Sequence, residues 1–156
     1  MAIARGAGTE IIRAHHFTIV NANQKLIIGE QHHVYTVLSI VVYCALIDST
    51  TDKIMVRLVG FDSHGGSSAQ EPIIFNANPQ VGETFVWNDK FSFNGFEPTG
   101  ASGSFGAGDA AADLAYQNAI ADQGSAVPQY LMAAGMPAED DCNYSITVTF
   151  IDQNNA

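Results

Sequence analysis

Apolar and polar residues alternate with a period of two through much of this chain, which is the signature of strands rather than helices. The clearest stretch is NYSITVTFID. It places Tyr144, Ile146, Val148 and Phe150 on one face and Ser145, Thr147 and Thr149 on the other, as an antiparallel strand buried on one side requires. KIMVRLVGF sets Ile54, Val56 and Leu58 against Met55, Arg57, Val59 and Phe61. EIIRAHHFTIV sets Ile11, Phe17 and Ile19 against Ile12, Ala14 and Val20, so both strands are largely apolar on two sides. VYTVLSIVVYCALID, residues 34–48, is dense in β-branched and aromatic residues, has no capping signal at its start, and predicts a long central strand bent near Ser39.

Clusters of Asn, Asp, Ser, Gly and Pro punctuate these runs at residues 21–24, 48–52, 62–70 and 76–82. Seven or eight strands result. The expected fold is all-β, an antiparallel, jelly-roll-like β-sandwich. Its 156 residues suffice for one real core and are few for two, so one domain is expected over residues 1–156.

The aromatic stretch VGETFVWNDKFSFNG predicts a hairpin closed by Asn88, Asp89 and Lys90. That loop length sets Trp87 opposite Phe91 and Phe85 opposite Phe93, with all four rings on one face and Lys90 as a left-handed bulge residue. A two-residue turn would split the rings between faces. Phe85, Trp87, Phe91 and Phe93 are therefore candidates for core packing or an interface, as is Tyr130.

From Gly100 the composition changes to Gly, Ala and Asp. Two short helices are predicted there, at residues 109–122 and 128–134, with Asp109 able to cap the first and Gly124 to end it. Residues 97–142 are read as an insertion before the last strand, and residues 1–9 as an N-terminal arm. Both bury little of their own, and partner chains are expected to order them.

Charge narrows the partners. Sixteen acidic against six basic residues give a formal net charge of −10, which repels phosphate backbones and anionic membranes. Nucleic acid and membrane are thus not expected as partners. Only 14% of residues are charged while 47% are hydrophobic, fewer charges than a fully solvated surface carries, so other chains are expected to cover part of it. No apolar run is long enough for a signal peptide or a bilayer span, which points to synthesis in a cytosol. Cys44 and Cys142 are expected to be free thiols, Cys44 as a small core residue.

The candidate chemistry is thin. His15 with His16, and His32 with His33, have the look of metal-ligand pairs, yet neighbours on a strand point to opposite faces and cannot share one ion. One His from each pair could meet across strands to hold zinc or nickel, but imidazoles hydrogen-bonded at a strand end or an interface are the expectation. Asp62 to His64 supplies residue types of a hydrolase triad without a nucleophile elbow. Glu139 to Asp141, and Asp109 with Asp113, lack the ligand spacing of a calcium loop. Gly103, Gly106 and Gly108 have no following Lys-Ser or Lys-Thr to make a phosphate cradle. No catalytic residue, metal or cofactor is expected.

The order of these pieces resembles the small antiparallel β-sandwich structural proteins of tailed bacteriophage particles. The resemblance rests on a VYTV strand start at 34–37, the apolar strand to Asp48, the second strand at 53–62, the GET stretch at 82–93 and the alternating strand at 144–152. Leu38 and Ser39 continue the strand where such proteins often turn on Pro-Ala-Gly, and residues 97–142 have no counterpart in the short forms. The resemblance implies a non-enzymatic virion protein, assembled in the host cytoplasm as a homo-oligomer with other virion proteins such as major capsid or tail proteins. A capsid decoration (cement) protein is the leading form, and a neck, tail or fibre component the alternative. Separately, exposed rings such as Trp87 and Tyr130 would suit a carbohydrate-binding sandwich.

Overall fold

Strands pair in nested fashion, the earliest with the latest and those in between with one another. The computed structural model describes residues 6–60, 71–97, 128–137 and 141–155. Nine strands are found there: β1 (Thr9–Val20), β2 (Gln24–Ile28), β3 (His33–Ile47), β4 (Ile54–Val59), β5 (Ile73–Ala77), β6 (Thr84–Trp87), β7 (Phe91–Asn94), β8 (Tyr130–Ala134) and β9 (Cys142–Asn154). β4 pairs with β5, β3 with both β6 and β7, β2 with β8, and β1 with β9, all antiparallel. These nested pairs fold into two sheets, β1-β9-β3-β6 with β7 also on β3, and β2-β8-β4-β5. Counting β6 and β7 as one interrupted strand gives eight strands wound as a jelly roll, the expected fold.

The larger sheet follows its sequence pattern closely. β9 lies between β1 and β3, and Tyr144, Ile146, Val148 and Phe150 are completely buried. On β3 the register slips between Val37 and Ser39, moving the inward set from Tyr35 and Val37 to Ile40, Val42 and Cys44. That bulge is the bend expected near Ser39. A second slip, between Phe17 and Val20 on β1, corrects the sequence reading: Val20 joins Phe17 on the core side and Ile19 turns outward.

The hairpin expectation is wrong. β6 and β7 do not pair with each other but lie end to end along β3, with Trp87 opposite Ile40 and Phe91 opposite Val37. β3, at 15 residues, is long enough to carry both. Four positions separate Trp87 from Phe91, so both stay on the same face whether the chain turns back or continues. The pattern could not tell these apart, and the single ring face holds. Lys90 is not left-handed; His32, with φ of 63°, is the one non-glycine residue with positive φ among the described residues.

Residues 128–134 do not form a helix. Tyr130–Ala134 is β8, inserted between β2 and β4, and Leu131 to Ala134 are all buried. A strand buried on both faces shows no alternation, and its Leu, Met and Ala favour helix in isolation. Cross-strand pairing overrides that preference. The predicted insertion therefore contains core structure at its C-terminal end, while the helix expected at 109–122 lies outside the described residues.

β8 is locked in by a junction at one end of the sandwich. Gly29 N–H donates to the Gln129 carbonyl, Gln129 N–H to the Gly95 carbonyl, and Gly95 N–H to the His33 carbonyl, each at 2.8 Å. A Cβ on Gly29 would overlap the Gly95 carbonyl, and one on Gly95 the Glu30 carbonyl. Only glycine permits these backbones to cross so closely.

Because β8 is central, amides of Leu131 to Ala133 should exchange as slowly as those of Ile146 to Phe150. Leu131→Ala should cost about 2–5 kcal/mol in urea unfolding. Fast exchange at Leu131 combined with a near-neutral substitution would show that β8 is peripheral.

Candidate functional site

The inner face of β1 breaks the apolar pattern with Arg13 and His15. Opposite them, the inward row of β9 ends on Asp152, which is 1% exposed. Arg13 Nη1 donates to Asp152 Oδ2 at 3.0 Å, and His33 Nδ1 lies 2.7 Å from Asp152 Oδ1. Glu30 Oε2 approaches the other His33 nitrogen at 3.7 Å. One buried carboxylate thus joins β1, β9 and β3. Its desolvation is offset by partners on both oxygens.

Around this pair the side chains are held on every side. The Arg13 guanidinium sits 5.4 Å over the Phe150 ring, and the His33 ring stacks on Tyr35 at 6.1 Å. Glu30 N–H donates to the Tyr35 hydroxyl at 3.1 Å. Burial pushes the Tyr35 phenol up to about 12, against the lowering effect of that hydrogen bond and with added push from Asp152 and Glu30. His15 spans the two sheets: its Nδ1 meets the Leu26 carbonyl at 2.8 Å and its Nε2 lies 3.3 Å from Arg13 Nη2. A carbonyl only accepts, so Nδ1 carries the proton and Nε2 accepts from Arg13.

Beside the network, and sharing Arg13 and His15 with it, edge strands β1 and β2 flank a groove of about 650 Å³. Its lining includes Arg13, His15, Phe17, Gln24, Leu26 and Ile28. A smaller groove of about 550 Å³ runs between β5 and β6 on the opposite side, near Asn78 and Phe85. The first has polar groups, but each of its central ones is engaged: both nitrogens of His15 are hydrogen-bonded and Arg13 is paired with Asp152. The arrangement braces β1 against β9 and β2.

The His15–His16 pair diverges as strand geometry demands, while His32 precedes β3 in a turn. His15 points inward while His16 lies on the outer face with Nδ1 2.7 Å from Thr147 Oγ1. Among the described residues no group of three or more His, Cys, Asp or Glu is placed to hold a metal ion, and no helix is long and apolar enough to cross a membrane. Asp62 to His64, Asp109, Asp113, Glu139 and the glycines at 103–108 lie outside the described residues. Cys44 and Cys142 are both buried, and burial raises both thiols. Tyr144 is raised by burial and then by these two thiols, and its hydroxyl has no hydrogen-bond partner among the described residues.

The aromatic candidates face the core. Phe93 is buried, and Phe85, Trp87 and Phe91 are half-buried against the main cluster. Trp87 meets Phe91 edge-on at 5.4 Å, and Phe85 reaches across the sandwich to Phe75 at 5.0 Å. Tyr130 is half-buried on β8, with Lys25 Nζ 4.4 Å from its ring centre. The Arg13–Asp152–His33 network was missed by the sequence reading. Register alone contains the signal, because Asp152 continues the row 144, 146, 148, 150 and Arg13 continues the row 15, 17.

No family model matches the chain. No curated protein matches it either. A solved structure described as "Bacillus endospore appendages form a novel family of disulfide-linked pili" is similar over 100% of this chain and 97% of that one, at 9% identity and a TM-score of 0.37.

Removing the two halves of the ion pair should have unequal effects. Arg13→Ala removes the permanent cation from a carboxylate whose side chain is 2% exposed, leaving His33 on its other oxygen, and should cost about 3 kcal/mol. Asp152→Ala leaves a guanidinium that is 36% exposed and can turn to water, and should cost less, about 1–3 kcal/mol. Urea midpoints of the two variants measure the order, and the reverse order would refute the buried-carboxylate account.

Alkali provides a second check. The folded-state value of Tyr35 lies above the ordinary 10, so its contribution to stability is complete below pH 10 and is lost as pH rises toward about 12. Stability should fall across that window, and Tyr35→Phe should flatten the fall. An unchanged slope in the variant would assign the alkaline loss to other groups.

Proposed function

We propose that this chain is a non-enzymatic structural subunit of a virus particle. In its most specific form it is a decoration protein that stabilises a tailed-bacteriophage capsid through contacts with its own copies and with other virion proteins. The observation that carries this reading is the surface: Ile12, Ile19, Ile28, Ile73, Val81 and Val86 are each more than half exposed although the core is already closed without them. Exposed aliphatic surface on a chain with few charged residues is what neighbouring subunits cover. Jelly rolls serve virus capsids and lectins alike, so the fold admits the reading without selecting it. A sugar-stacking platform is less well supported, because Trp87 turns to the core and Lys25 lies over the Tyr130 ring.

Particles purified by density gradient from the source of this sequence test the proposal. The chain should appear in them at a fixed ratio to the shell protein, and labelled antibody should decorate the outside of the shell. Absence from such particles would overturn the reading. Micromolar retention on a glycan array, lost in Tyr130→Ala, would replace it with the carbohydrate alternative.

A further inference from the structure

Alternation places every second residue of β1, β9, β3, β6 and β7 on the outer face of the larger sheet. Register aligns these positions into rows. Ile12, Ile151, Thr36 and Ser92 form one; His16, Thr147, Val41 and Val86 form another. From the row of Ile12 to the row of Tyr43, no outward position on these strands is Lys, Arg, Asp or Glu. Glu10 stands beyond one corner, and Asp89 and Lys90 sit in the interruption between β6 and β7. Ile12, Tyr43 and Val86 are 72%, 43% and 53% exposed.

We propose that this face is a homotypic interface, on which a second copy of the chain packs sheet against sheet. This deepens the structural-subunit reading and rests on it. Three observations select a second copy. The chain carries a net charge of −10, yet copies approaching through this face bring together no carboxylate from its strands, Asp89 in the interruption standing next to Lys90, whereas a cationic partner would be drawn to acidic surface elsewhere. The polar groups of the face are mainly Ser and Thr hydroxyls, which donate and accept alike, so a face of this composition satisfies its own copy. One hydrogen bond on it already pairs hydroxyl with hydroxyl, Thr36 Oγ1 with Ser92 Oγ at 2.9 Å, while Thr147 Oγ1 lies 2.7 Å from His16 Nδ1.

Size sets the strength. Four strands about 4.8 Å apart and about ten residues long at about 3.3 Å per residue offer roughly 600 Å² per copy. A standard stable interface buries about 800 Å² per partner. The pair should therefore form at micromolar concentration, and packing at about −30° is the geometry open to two twisted sheets.

Sedimentation from about 1 to 200 µM should take the wild-type chain from monomer to dimer. Val41→Lys and Thr147→Lys, neighbours at the centre of the face, should each keep the chain monomeric throughout that range with little change in melting temperature. Hydroxyl-radical footprinting of the wild type needs no variant: labelling of Ile12, Tyr43 and Val86 should fall with rising concentration while that of Ile73 and Val81 stays level. A monomer at 200 µM, or a dimer whose footprint lies on another surface, would overturn the assignment of this face. Either result leaves the structural-subunit reading standing if the chain is still found in purified particles, whereas absence from particles overturns that reading separately.

Discussion

Everything in this sandwich depends on β9 finding two partners at once. Its 13 residues lie between β1 and β3, so the last strand in the chain must slot between the first and the third. Its inward row supplies the middle of the core, and Asp152 at the end of that row ties β1 and β3 together through Arg13 and His33. Closing the loop from Thr9 to Asn154 in one step would be slow, because the entropy of closure precedes any contact. Nesting shortens it. β4 and β5 can meet first, β3 can then find β6 and β7, β2 can find β8, and each pairing brings the next pair of strands closer together.

Charge is used sparingly inside and out. Of the six basic residues, Arg13 is half-buried and spent on Asp152, and Arg57 pairs with Glu71 at 2.9 Å. A buried ion pair of this kind adds little net stability over an apolar substitute. What it does is fix register. A slip of β1 by one residue would turn Arg13 outward and leave Asp152 with one partner fewer, so the pair penalises a pairing that the two apolar faces of β1 would otherwise tolerate.

Strict alternation made β9 readable from sequence, and β-branched density did the same for β3, including its bend near Ser39. Two kinds of structure were hidden. The first is any element whose face assignment survives a change of topology: the four rings share a face both in a hairpin and in an interrupted strand, so the ring pattern is silent on which occurs. The second is burial on both sides, which erased the periodicity of β8 and left Leu131 to Ala134 looking helical. The ion-pair corner falls between these cases. Arg13 and Asp152 stand in register with core residues, but a charge at an inward position looks like noise until its partner on another strand is placed beside it.

The same alternation that builds the core also fixes what an outer face can be. A strand needs residues that suit a pleated backbone, so Thr147 and Thr149 on the back of β9 would be natural on a solvated face as well as on a covered one. Thr alone therefore decides nothing. What a solvated face of an acidic protein does not do is leave out Glu and Lys across several strands, since these keep sheets soluble and discourage unwanted pairing. With 16 acidic residues available, none occupies an outward strand position from the row of Ile12 to the row of Tyr43. The omission of charge, rather than the presence of hydroxyls, is the feature of this face that points to its being covered.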